Sequence, residues 1–98
     1  MAKSAGLDEA QALAIALLGF LAADEERMGR FLALTGVDPS DIRALMRDRG
    51  FWIAIFDHVF EDESLLLSFC GQEGMAPEQL VRVRHSLASP HDRGLREA

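Results

Sequence analysis

Asp57, His58, Glu61, Asp62 and Glu63 form the densest group of side chains that could act as ligands, acids or bases in this sequence. On a helix, Asp57 and Glu61, or His58 and Asp62, stand one turn apart on one side. A divalent metal can use that spacing, but it needs three or four converging ligands with hydrogen-bonded support, and the group holds a single His. The expectation is a solvated face or a cap, with no cofactor and no metal. Cys70 has the spacing of a core position beside Leu66 and Phe69, and a thiol so placed behaves as a small hydrophobe with a raised pKa. Ser4, Ser40, Ser64, Ser68, Ser86 and Ser89 sit in no nucleophile-elbow context, and no glycine-rich phosphate loop is present. These residue types in this order supply no catalytic constellation, so an enzyme is not expected.

Composition narrows the classes further. The 98 residues are 49 % hydrophobic and 27 % charged, the balance of a globular chain of one domain. The net charge of −6 repels nucleic acid and anionic lipid. The carboxyl end differs: from Gln79 onward the net charge is +2, against −8 over residues 1–78. Arg82 and Arg84 belong to that basic stretch, which is the sequence's one opening toward nucleic acid; helix C-terminal charge preference accounts for it as well. A lone Cys70 closes no disulfide within the chain, which suits a reducing compartment.

One segment resembles an address label. Residues 12–23 are uncharged, but Asp8 and Glu9 precede them, so the positive lead of a secretory signal is missing. Twelve residues also fall short of the ~20 that a helix needs to cross a bilayer. A buried helix of a cytoplasmic protein is the expectation, with no membrane contact.

The elements that would position these residues are all helices. Laying residues 13–46 over residues 51–84 with a shift of 38 gives seven identical pairs, among them Ile15 with Ile53, Asp24 with Asp62, Phe31 with Phe69, Gly36 with Gly74 and Pro39 with Pro77. Each Gly-to-Pro step reads as a helix stop followed by a helix start. Asp24, Asp38, Asp48 and Asp62 are placed to cap the helices that follow them. The stripes Met28/Phe31/Leu32, Ile42/Leu45/Met46, Leu66/Phe69/Cys70 and Leu80/Val83/Leu87 have helical spacing. The reading is all-α: a compact bundle of about six short helices over 8–23, 25–34, 39–47, 50–61, 63–73 and 77–88. The helices form two three-helix units, about 13–47 and 51–85, within one domain at 1–88, followed by a flexible tail at 89–98. The first two helices of each unit could run on through a kink near Ala23 or Glu61. The segments around Ile15 and Ile53 are apolar nearly all round and belong at the centre.

Several segments resemble a family of short alphaproteobacterial proteins, the domain of unknown function 3572 family. They are Phe20-Leu21-Ala22 with Asp24, then residues 29–36 reading Gly-Arg-Phe-Leu-Ala-Leu-Thr-Gly, Pro39 with Ile42-Arg43, and later Asp57, Asp62-Glu63, Leu66-Leu67, Phe69 and Pro77-Glu78. The resemblance covers residues 10–88 and implies a bacterial cytoplasmic helical protein, with no activity, cofactor or site to carry over. Arg30 is the matched residue that neither packing nor capping explains; it pairs with Glu26 one turn back or faces a partner.

The leading expectation is a non-enzymatic helical interaction or structural module. Its candidate surface is Arg30, Trp52, Phe56, Asp57 and His58, because so small a body leaves some of its aromatic helix uncovered. The partner is a second copy or another protein, and a homodimer is as well supported as a mixed contact. The alternative is a small-molecule or metal-sensing domain with a pocket between the units near Asp57 and His58. A weaker alternative is nucleic-acid binding through Arg82 and Arg84.

Overall fold

A computed structural model describes the backbone of residues 2–97 and the side chains of residues 8–87. Among the described residues six α-helices follow one another: α1 (Ala2–Ala22), α2 (Glu25–Thr35), α3 (Ile42–Leu45), α4 (Arg49–Phe60), α5 (Glu63–Glu73) and α6 (Pro77–Glu97). A 3-10 turn at Pro39–Asp41 leads into α3, and no strand is present among the described residues.

The boundaries follow from local chemistry. Asp24 is extended at φ −131° and its carboxylate accepts from the backbone N–H groups of Glu26 and Arg27. Asp62, at φ −130°, accepts from Leu65 in the same way. An extended N-cap takes the chain out of the preceding helix, so α1 and α2, and likewise α4 and α5, are separate helices and not kinked continuations. Gly36 and Gly74 close α2 and α5 at φ 73° and 64°, where a side chain would be strained. Asp48 caps α4 through Gly50 N–H, and Asp38 accepts from both the N–H and the hydroxyl of Ser40. That tight local pairing turns the first part of the expected 39–47 helix into the 3-10 turn and leaves α3 four residues long. The helix assigned as α6 passes the expected end at 88; the flexible tail expected over 89–98 lies outside the residues whose side chains are described.

Packing centres on α1 and α4, which lie against each other. α2 and α6 also cover α1, while α5 and α6 cover α4. Leu17 and Leu21 of α1 and Ile55, Phe56 and Val59 of α4 are fully enclosed. Burying side chains of this size contributes about 1.5–3 kcal/mol each. α1 is not enclosed all round, as its composition suggested. Its open side carries Ala12, Ile15, Gly19 and Ala22, and Ile15 is 54 % exposed whereas Ile53 is half-buried.

Aromatic contacts tie the first half of the chain to the second. Phe20 meets Phe69 edge-on at 5.4 Å between centroids, and Phe31 meets His58 edge-on at 5.1 Å. Positions 20 and 58, and positions 31 and 69, are related by the same shift of 38. The third helices differ, α3 being short and α6 long. No helix among the described residues is long and apolar enough to cross a membrane.

Candidate functional site

The fold leaves a groove of about 480 Å³ between α2 and the corner where α4 passes into α5. α2 contributes Glu26, Arg27, Arg30 and Leu34; the other wall is His58, Glu61, Asp62 and Leu65. α2 residues 26, 30 and 34 share one face because they are a turn apart. The opposite wall exists because Asp62 interrupts the chain there, so the last turn of α4 and the first turn of α5 meet at an angle and both present side chains.

Within the groove, some charges have partners in the protein and others do not. The Arg27 guanidinium lies over the Phe20 ring at 4.5 Å and reaches the Asp24 carboxylate at 4.0 Å. One Asp62 oxygen accepts the Leu65 N–H. Arg30 is exposed, and among the described residues no carboxylate lies within 4.0 Å of its guanidinium, so the expected pairing with Glu26 is not formed. Leu34 is 66 % exposed beside it.

His58 is half-buried, its ring edge-on to Phe31. Burial pushes its pKa below the ordinary 6.5, and the Arg30 charge pushes the same way, while Glu61 and Asp62 pull it back up. A histidine with a depressed native pKa binds fewer protons folded than unfolded, so its contribution to stability is complete above pH 6.5 and is lost as pH falls through the native value. Titrating the imidazole by NMR is expected to give a midpoint below 6.5. Arg30→Gln should raise that midpoint and Glu61→Gln should lower it further; a wild-type midpoint above 6.5, or one indifferent to both changes, contradicts this geometry.

Of the expected surface residues, Arg30 and His58 come together in the groove. Asp57 does not join them: its carboxylate takes two hydrogen bonds from Arg84, at 2.8 and 3.2 Å, and so fastens α4 to α6. Trp52 and Phe56 correct the expectation of an uncovered aromatic strip. Trp52 is 6 % exposed with its indole N–H donating to the Met46 carbonyl at 2.7 Å, and Phe56 is fully buried. α4 has neighbours on enough sides to absorb both rings. Arg84 is engaged by Asp57, while Arg82 is exposed. Cys70 is buried and free, and burial, followed by the charge of Glu78, raises its pKa. Among the described residues no three His, Cys, Asp or Glu side chains converge as metal ligands do.

Sequence reasoning missed Leu34 and Leu65. A signal for Leu34 was present: it falls to one flank of the Met28/Phe31/Leu32 stripe, one turn after Arg30.

No curated protein and no solved structure matches the chain. Residues 7–90, most of the sequence, match the family described as a protein of unknown function (DUF3572), and the chain belongs to that family.

Proposed function

We propose that the chain is a non-enzymatic helical interaction module whose working surface is the outer face of α2 with the adjoining groove. The observation that carries the reading is the pairing of Arg30 and Leu34. An arginine with no carboxylate partner among the described residues and a 66 % exposed leucine stand one turn apart at the groove's rim. Arginine flanking an exposed apolar side chain is the composition of a contact centre. The reading suits a reducing, cytoplasmic setting, given the buried free thiol.

The small-molecule reading draws on the same groove, since His58 lies in it between residues of the two halves. Small-molecule sites enclose most of their ligand in a largely apolar wall. This groove opens to solvent along one side and six of its eight lining residues are charged or titratable, which favours the side chains of another polypeptide.

The test compares tagged wild-type chain with Arg30→Glu, each incubated with extract of the native cell. A stoichiometric partner, or untagged copies of the chain, should be retained by the wild type and lost from the variant, with helix content and melting temperature unchanged. Retention of the same proteins by both overturns the reading.

A further inference from the structure

The hairpins α1–α2 and α4–α5 bury the same positions at the shift of 38. Leu13, Ala14, Leu17 and Leu21 of α1 are buried, and so are Phe51, Trp52, Ile55 and Val59 of α4. Phe31 of α2 and Phe69 of α5 are both fully enclosed. The contact of Phe20 with Phe69, at 5.4 Å and 74° between ring planes, has its counterpart in that of His58 with Phe31, at 5.1 Å and 79°. Each hairpin therefore sets its first helix against the second helix of the other in one geometry. The groove breaks this likeness. Where it carries Glu26, Arg30, His58 and Glu61, the related positions hold Ser64, Ser68, Phe20 and Ala23. Its Asp62, by contrast, caps α5 as Asp24 caps α2. Packing at these four places is met by a phenyl ring, two hydroxyls and a methyl, so it requires neither the charges nor the imidazole. The charges do not serve one another either: among the described residues none of Glu26, Arg30 and Glu61 has an ion-pair partner within 4.0 Å. Burial holds the His58 pKa below 6.5, a desolvation cost that a phenyl ring does not bear.

We infer that Glu26, Arg30, His58 and Glu61 are a binding set, and that they receive a polypeptide segment of mixed charge that sets a carboxylate against Arg30 and cations against Glu26 and Glu61. The inference rests on the interaction-module reading and gives its partner a chemistry. Glu26 and Arg30 stand one turn apart on α2, and Glu61 belongs to the opposite wall. A segment carrying one sign alone meets a like charge somewhere in the groove, whereas one carrying both signs meets a complement at each place. Leu34 and Leu65 supply apolar contact between the charges. His58, neutral at pH 7, offers one N–H donor and one acceptor nitrogen without adding a charge of its own.

The test grafts the related residues into the groove of the full chain. One variant combines Glu26→Ser, Arg30→Ser, His58→Phe and Glu61→Ala; a second carries His58→Phe alone. The single variant should melt at or above the wild type. The combined variant should melt within a few degrees of it, the small loss of helix propensity at the two serines being offset by the gain at position 58. Wild type and combined variant are then used to select from a display library of random peptides. Peptides enriched on the wild type should carry acidic and basic residues together and bind the combined variant at least about tenfold more weakly. Replacing the acidic residue of such a peptide by lysine should abolish binding to the wild type and restore it on Arg30→Glu. A variant that melts far below the wild type shows these residues to be structural and overturns the inference. Selected peptides of a single sign, peptides that bind the combined variant as tightly as the wild type, or a selection that enriches nothing overturn it as well. Retention of a cellular partner by the wild type and its loss from Arg30→Glu, beside any of those outcomes, leaves the interaction-module reading standing, so the two failures are distinguishable.

Discussion

Replacing Phe31 with alanine is expected to destabilise the fold by about 3–5 kcal/mol, the range for removing a buried phenylalanine. Phe31 is fully enclosed and is the one α2 side chain that is. Its ring meets Phe51 at 6.1 Å and His58 at 5.1 Å, so it joins α2 to both ends of α4. Removing it leaves a cavity where α2 crosses the core and takes away the apolar surface on which the His58 imidazole rests. Two readouts follow. Urea unfolding should show the loss directly, and the His58 midpoint should rise toward 6.5 because its desolvation is relieved. Leu34→Ala on the same helix removes an exposed side chain and should move stability by no more than about 0.5 kcal/mol. A Phe31→Ala protein as stable as Leu34→Ala would contradict the packing of α2.

Trp52→Ala is the second large effect, also about 3–5 kcal/mol. Trp52 fills the core, and its indole N–H holds the Met46 carbonyl at the end of α3. Trp52→Phe separates the two roles. It keeps most of the apolar volume and drops the hydrogen bond, at a cost of about 1–3 kcal/mol for a carbonyl left without its donor. Trp52 is the only tryptophan, so fluorescence reports on this site alone. Emission should be blue-shifted and poorly quenched by acrylamide in the folded protein. Emission at the wavelength of free indole in water would place the ring outside, where the sequence had led us to expect some of the aromatic helix.

The helix punctuation was legible because it is local. Asp24, Asp38, Asp48 and Asp62 cap their helices, and Gly36 and Gly74 adopt positive φ, as their types and neighbours required. These outcomes depend on a few adjacent residues, and a linear string contains all of them. The length of α3 was not legible, because the Asp38–Ser40 pairing competes with α-helical bonding by a margin that propensities do not resolve.

The candidate site was legible only in part, and the reason is the distance along the chain between its members. Arg30 stood out because no packing or capping role explained it, and His58 because it was the only imidazole in the acidic cluster. Their meeting depends on how α2 crosses α4. Asp57 looked equivalent to His58 in the sequence but belongs to Arg84, 27 residues on, and one residue's rotation around α4 decides that difference. Trp52 and Phe56 looked like surplus apolar surface. Counting hydrophobic residues cannot tell which of them the neighbouring helices cover, and the uncovered ones turned out to be Ile15, Leu34, Leu67 and Val81 among the described residues.

Those four residues give the most direct test of the proposal that the α2 face beside the groove is where this protein meets its partner. A photoreactive amino acid is placed at position 15, 34, 67 or 81 in turn, the chain is irradiated inside its native cell, and the cross-linked peptides are sequenced. Capture at 34, abolished by Arg30→Glu, with little capture at 15, 67 and 81, is the predicted result. Capture that favours 15, 67 or 81, or that proceeds equally at 34 with and without the Arg30 charge, would contradict the account.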